Sequence, residues 1–331
     1  MTEDLISIVL PCYNGEKFIE TSIGSIQQQS HQEFELIVID DGSTDDSFLI
    51  CKNLAEKDPR IRLIKNDRNQ GLIYTLNKGI SLANGIYIAR MDADDLSHPK
   101  RLEKQLHYLK EHPEIDILGT DVKVIDQKDN HIKSSSKICF SPSAIKFSAY
   151  FAQPLVHGSI LAKSAVLKKH NYAAEYIHCE DYELWLRLLS KGHKIANLDS
   201  KLYFYRVNSE SVSNKNEDVQ ISCHNKVSHL YLNDQIEEVF DMPTVAILNN
   251  RPLQSINKVD LKKSLLLFKD LFQRTAADKE LKKFYHLHMV DICIQSIKQI
   301  KGIELTFYAY LLLIRSVFNV HAFRYFIEKL I

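Results

Sequence analysis

Met91-Asp92-Ala93-Asp94-Asp95 follows the apolar run Ile86 to Met91, and its carboxylates are the first candidates for chemistry. In an extended backbone, residues i and i+2 share a face, so Asp92 and Asp94 would project together. Two adjacent carboxylates raise each other's pKa unless a cation lies between them. A hard divalent ion, Mn²⁺ or Mg²⁺, held by one or two carboxylates and by substrate phosphates, meets that need. The competing reading is a solvated acidic turn ahead of a helix that begins near Pro99. The position at a strand end favours the metal.

Three more segments carry polar groups at the ends of predicted elements. Asp40-Asp41-Gly42-Ser43 closes a second apolar run, where a carboxylate can accept hydrogen bonds from a nucleotide's base or ribose. A plain turn and helix cap would use the same residue types. Pro11-Cys12-Tyr13-Asn14-Gly15 closes the first run, with Tyr13 available to lie against a base. Glu180-Asp181 opens a predicted helix. The helix dipole favours acids in a first turn for purely structural reasons, and the same field would keep Asp181 ionised, as a general base requires. Neither G-x-G-x-x-G nor G-x-x-x-x-G-K-[ST] is present, which weighs against dehydrogenases and P-loop enzymes.

The elements that must position these residues alternate in kind. Short apolar strands are predicted at 7–10, 34–39, 61–64 and 86–91. Helices intervene from Phe18 to Ile26, from Ser43 or Thr44 to about Lys57, and from Leu72 to Ala83. Such apolar strands separated by helices imply parallel strands buried on both faces. Open sheets of this kind bind ligands beyond the carboxyl ends of their strands. That rule selects the loops 11–15, 40–44 and 92–99, which are the three just described. From residue 114 the pattern becomes mixed, with strands expected at 115–119, 122–125, 156–161, 195–198 and 203–207 and a helix at 182–189. The polar stretch Asn208 to Asp218 marks a boundary, and helical sequence follows.

Composition narrows the class. The 331 residues contain 42 basic and 42 acidic side chains, so the formal net charge is zero. A protein built to grip nucleic acid would show a basic excess. The six cysteines are far apart and show no C-x-x-C spacing, which predicts scattered reduced thiols and a cytoplasmic setting. No basic leader precedes the first strand, and the longest apolar stretch, Leu305 to Ile314, is shorter than the ~18 residues of a membrane span.

Together the segments resemble the family 2 glycosyltransferases, which have the GT-A fold. The resemblance rests on an ordered series: Ile8 to Asn14, Phe34 to Asp45, Asn69-Gln70-Gly71-Leu72, Ala89 to Asp95 with Pro99 and Arg101, His157-Gly158-Ser159, Glu180 to Leu188, and Tyr205-Arg206. It covers about residues 5 to 213. It implies an α/β fold, a GT-A-like open and mostly parallel sheet flanked by helices, with a helical C-terminal region. The implied catalytic domain is 1–213, divided into a nucleotide-binding half (1–113) and an acceptor half (114–213), followed by helical residues 214–331. By resemblance, Pro11, Tyr13 and Asp41 hold the donor base, and Asp92 lies near the ribose and the metal. Asp94 coordinates the metal, Arg206 approaches the donor diphosphate, and Asp181 is the catalytic base. His157 and Glu180 line the acceptor side. The implied reaction is inverting transfer of a sugar from a nucleotide-diphospho-sugar, a UDP-sugar first among them, to a glycan or lipid-linked glycan in surface polysaccharide synthesis.

Two departures qualify that transfer of roles. The Gly-Gly-Tyr often found before the acidic pair is His170-Asn171-Tyr172 here, and the Q-x-x-R-W of processive synthases is absent after Asp181. The second departure points to one sugar added per encounter. A binding protein that has kept the fold without turnover and a sugar nucleotidyltransferase are the rival classes. Retention of Asp94 and Asp181 disfavours the first. The lack of a Gly-rich basic loop after the first strand disfavours the second.

Residues 301–331 combine aromatic residues with Lys301, Arg315, Arg324 and Lys329. They read either as an amphipathic helix docked on the inner face of the plasma membrane or as a helix packed on the catalytic domain or on a second copy of the chain.

Overall fold

The computed structural model describes residues 4–132, 138–207, 217–235, 240–251, 258–273 and 279–299. The chain forms two compact units, 1–138 with 155–215, and 139–154 with 216–331.

In the first unit, strands and helices alternate as β1 (Ile6–Cys12), α1 (Ile19–Gln27), β2 (Phe34–Asp40), α2 (Ser47–Ala55), β3 (Ile61–Lys65), α3 (Leu72–Leu82) and β4 (Tyr87–Arg90). There follow β5 (Leu96–Ser97), α4 (Arg101–Glu111), β6 (Ile117–Ile125), the 3₁₀ turn His157–Ser159, β7 (Leu161–Lys163), α6 (Ser164–Lys169), α7 (Glu180–Ser190) and β8 (Ile195–Arg206). Helix α5 (Pro142–Ser148) lies between β6 and the 3₁₀ turn in sequence but belongs to the second unit.

One eight-stranded sheet runs in the order β3-β2-β1-β4-β7-β6-β8-β5. β3, β2, β1 and β4 are mutually parallel, and β6 is parallel to β8, while β7 and β5 run against their neighbours. The apolar content of β1 and β2 explains their place in the sheet interior. Ile6, Ile8, Leu10, Leu36 and Val38 are fully buried in a core shared with Ile19, Ile23 and Ile26 of α1. Burial of this kind stabilises by roughly 25 cal/mol for each Å² of apolar surface.

Helix α2 begins later than the sequence suggests. Ser47 donates its backbone N–H (3.0 Å) and its hydroxyl to Asp45, so Thr44 to Asp46 form a turn instead of a first helical turn. The expected pairs of strands 115–119/122–125 and 195–198/203–207 are each one continuous strand. β6 carries an irregularity at Thr120–Val122, where its register against β8 shifts. Residues 157–159 form a 3₁₀ turn where a strand was expected, and only 161–163 pair in the sheet.

The second unit contains α5, α8 (Glu217–Gln235), α9 (Met242–Leu248), α10 (Lys258–Gln273) and α11 (Lys279–Gln299). Phe147 of α5 lies 5.8 Å from Phe268 and 6.3 Å from Phe284, ring centre to ring centre. This aromatic core carries 139–154 into a unit that the sequence suggested begins only after residue 213. Cys12 and Cys51 are free and buried, whereas Cys179 is disulfide-bonded, which corrects the expectation of uniformly reduced thiols. Among the described residues no helix is long and apolar enough to cross a membrane. Residues 301–331 lie outside them.

Candidate active site

The strand order β2-β1-β4 sets the loops after these three strands side by side, as the sheet rule requires. The first two loops are tied together. Asn14, in the left-handed region at φ 50°, accepts the Thr44 N–H at 2.9 Å and donates its own N–H to Ser43 Oγ at 3.0 Å. Pro11 is half-buried, and Tyr13 is 49% exposed, so its ring is free to meet a ligand.

Asp41 is buried and braces the chain. Its Oδ1 accepts from Asn66 Nδ2 (2.7 Å) and the Gln70 N–H (2.9 Å), and its Oδ2 accepts from the Gly71 N–H (2.9 Å). Gly42, at φ +71°, makes this possible, because a Cβ there would stand 2.6 Å from the Arg68 carbonyl carbon. The carboxylate expected to hold a donor base therefore also shapes the wall beside it.

The acidic segment is a turn. β4 ends at Arg90, and the extended geometry assumed for Asp92 and Asp94 gives way to a bend over Ala93–Asp94. Arg206, at the end of β8, holds that bend. Its backbone N–H reaches Asp95 Oδ1 at 2.7 Å, its Nε reaches the Asp94 carbonyl at 2.6 Å, and its Nη1 reaches the Asp126 carbonyl at 3.0 Å and the Asp129 carboxylate. The guanidinium also stacks on Phe18 at 4.4 Å. Arg206 is buried, and these contacts commit it to the turn and the 126–130 hairpin instead of pointing it at a diphosphate.

Asp92 stands between two groups. Arg90 donates Nη1 to its Oδ2, and the Tyr203 hydroxyl lies 3.3 Å from the same oxygen. A Cβ on Gly158 would fall 2.7 Å from Asp92 Oδ2, so the 3₁₀ turn passes directly against Asp92. The preceding residue, His157, reaches the other way, with Nδ1 3.9 Å from Asp181 Oδ2 and Nε2 2.7 Å from the Tyr172 hydroxyl. The turn thus bridges the acidic bend and the first turn of α7. His157, Glu180 and Asp181 offer oxygen and nitrogen atoms within 4.8 Å of one another.

Comparison with known proteins fixes the class. The model of the Glycosyl transferase family 2 matches residues 7–170. An uncharacterised glycosyltransferase of Methanocaldococcus jannaschii is 37% identical over 214 residues, spanning 62% of this chain and 72% of its own length. The chain is a family 2 glycosyltransferase. The UDP-Glc:alpha-D-GlcNAc-diphosphoundecaprenol beta-1,3-glucosyltransferase WfaP of Escherichia coli is 31% identical over 216 residues, 63% of this chain and 80% of that protein. Staphylococcus aureus TarS 1–349, solved in complex with UDP-GlcNAc, shares the fold with a TM-score of 0.58 at 18% identity, covering 89% of this chain and 88% of that one.

Electrostatics divide the glycosyltransferase's carboxylates. Burial, and then the charge of Asp92, pushes Asp94 up to about 6, and burial with Asp92 and Asp94 raises Asp95 well above the usual carboxylate range. Burial pushes Glu180 up to about 7, with Asp181 adding to the effect. Asp181 is raised by burial, but the Tyr182 N–H at 2.8 Å and the Arg90 charge work to keep it ionised. Burial works against the Arg90 cation, but Asp92 holds its pKa above the ordinary value.

Arg90 and Tyr203 carry no role in the reading of the sequence, and Tyr172 enters it only as the last residue of His170-Asn171-Tyr172. Arg90 did leave a signal, since an arginine ending a buried apolar strand requires a charged partner. Nothing in the spacing links Tyr203 to Asp92, 111 residues away.

Proposed function

We propose that this glycosyltransferase carries out inverting, metal-dependent transfer from a nucleotide-diphospho-sugar, a UDP-sugar, to an acceptor hydroxyl during surface glycan assembly at the cytoplasmic face of the membrane. The observation that carries the reading is the His157–Gly158 step, which sets Asp92 on one side and Asp181 on the other. The similarity to an enzyme named for UDP-Glc and an undecaprenol-linked acceptor supports the donor and a lipid-linked acceptor.

In the displacement, the acceptor oxygen forms a bond to the anomeric carbon as the bond to the diphosphate oxygen breaks. The hydroxyl proton passes to Asp181, whose carboxylate the Tyr182 N–H orients. Pro11 and Tyr13 flank the base, beside the wall that Asp41 braces. Asp94 and Asp92 would hold Mn²⁺ or Mg²⁺. Hard oxygen ligands suit either ion, and a cation would offset the Asp92 charge that, after burial, raises Asp94. When bound, the ion supplies Lewis-acid stabilisation to the leaving diphosphate. Arg206 and Arg90 hold the acidic turn in place.

Asp181→Asn tests the reading. UDP release from a panel of UDP-sugars is expected to fall on the order of 10³-fold or more, with donor binding retained, because the positioned base is lost. A variant turning over near the wild-type rate removes Asp181 from the mechanism and this reading with it.

A further inference from the structure

His170-Asn171-Tyr172 replaces a familiar Gly-Gly-Tyr pattern, and the structure gives its tyrosine a specific place. Tyr172 is buried and fixed by its backbone. Its N–H donates to Asn77 Oδ1 at 3.0 Å, and its carbonyl accepts from Asn77 Nδ2 at 2.9 Å. Its hydroxyl lies 2.7 Å from His157 Nε2. The imidazole is confined between two rings, Tyr172 at 5.3 Å and Trp185 at 6.1 Å. Trp185 is four residues along α7 from Asp181, so the same helix carries the base and one wall of the imidazole slot.

We propose that Tyr172 and His157 form a positioning pair that aims a neutral imidazole N–H at the carboxylate of Asp181. The inference rests on the assignment of Asp181 as the base. Burial, and then the nearby Arg90 charge, pushes His157 well below its ordinary pKa, so the ring is neutral and carries one N–H. Burial keeps the Tyr172 phenol protonated. In the proposed pair the phenol donates and Nε2 accepts, which places the ring hydrogen on Nδ1. Nδ1 is the atom that faces Asp181 Oδ2, at 3.9 Å. That separation exceeds a hydrogen bond. Catalytic contacts are often long in a free enzyme and shorten when substrate binds.

The charged and titratable groups around Asp181 fit this role. Arg90 and Asp92 face it from the β4 end, His157 from the 3₁₀ turn, Tyr172 from the segment before α7, and Glu180 from its own helix. Arg90 favours the carboxylate but is bound to Asp92. His157 adds a donor that does not acquire charge. An N–H directed at the ionised form lowers a carboxylate's pKa and fixes its orientation. Loss of the pair therefore moves the acidic limb of the rate profile to higher pH as well as lowering the rate.

The test uses the full-length protein with Mn²⁺ and a panel of UDP-, GDP- and dTDP-sugars, following nucleotide release from the sugar that the wild type turns over. His157→Leu is expected to lower kcat on the order of 100-fold, with donor KM within about twofold, because the base loses its aim but the donor subsite does not change. Tyr172→Phe, which deletes one hydroxyl, is expected to cost about tenfold and to shift the acidic limb upward by about half a pH unit. His157→Asn, whose amide nitrogen can stand near the Nδ1 position, is expected to recover most of the loss. If His157→Leu fails to fold, Tyr172→Phe carries the test. Asp181→Asn is assayed in parallel. If it is inactive while His157→Leu and Tyr172→Phe keep the wild-type kcat and pH limb, the positioning pair is refuted and the base stands. If Asp181→Asn is active, the base assignment fails first.

Discussion

Gly158→Ala places the heaviest demand on the arrangement with the smallest change. The added carbon would stand 1.9 Å from Tyr203 Oη, 2.4 Å from Tyr203 Cζ and 2.7 Å from Asp92 Oδ2, whereas real Cβ contacts essentially never fall under 3.0 Å. Tyr203 is fully buried on β8, with Arg101 stacked 5.3 Å from its ring, so it has no open space to enter. Either the tyrosine or the 3₁₀ turn must retreat by about 1 Å, and overpacking of this kind costs about 1–3 kcal/mol. For a unit of this size, a loss of 2 kcal/mol lowers Tm by roughly 4–8 °C.

The same displacement breaks the contacts of the Tyr203 hydroxyl to the Asp92 N–H (3.2 Å) and to Asp92 Oδ2 (3.3 Å), and moves His157 relative to Asp181. Misplacement on that scale costs on the order of 100-fold in rate. The assay pairs a thermal melt with kcat for nucleotide release. Adding Tyr203→Phe removes the nearest clashing atom and is expected to recover part of the Tm but little of the rate, because Asp92 then lacks its hydroxyl partner. A Gly158→Ala protein with wild-type Tm and kcat would falsify the claim that this turn couples the two halves of the site.

Three further outcomes concern the carboxylates. Because the metal-free Asp94 titrates near 6, protons compete with a cation below that pH. Mn²⁺-dependent donor binding is therefore expected to strengthen about tenfold per unit from pH 5 to 6 and to level off above, as calorimetry would show, with Asp94→Ala abolishing the dependence. The raised pKa also means that the folded state holds more protons than the unfolded state between about 4 and 6, so this group's contribution makes the metal-free protein less stable as pH rises through that window. Asp41→Asn turns an amide N–H₂ toward the donors of the 66–71 loop and is expected to cost about 2 kcal/mol, read as a lower denaturation midpoint. An unchanged midpoint would show that Asp41 does not brace that wall.

Much of this molecule was legible in one dimension because its determinants are local. Apolar runs of strand length separated by helical spacing define β1 to β4, and the sheet rule then puts Pro11–Gly15, Asp40–Thr44 and Asp92–Pro99 at one edge. Local pattern could not say what each polar group touches. Their spacing predicts Asp92 and Asp94 as neighbours in an extended backbone, but they lie in a turn that a buried Arg206, from a strand more than a hundred residues later, holds. The family resemblance marks Arg206 as a ligand contact, and its bonds to Asp94, Asp95, Asp126 and Asp129, with its packing on Phe18, show it as a brace. His157 looked like part of a strand. Its neighbours instead meet distant segments: Gly158 lies against Tyr203 and Asp92, and Ser159 Oγ accepts the Thr120 N–H of β6.

Residue types and their order along the chain thus determined the fold class, the loops that carry chemistry and the likeness to family 2. The tertiary structure alone decided which carboxylates feel one another, which arginine serves as a brace, and which histidine stands beside Asp181. Side-chain period and turn chemistry are written within a few residues, whereas charge, burial and hydrogen bonding depend on segments that only the closed sheet brings together.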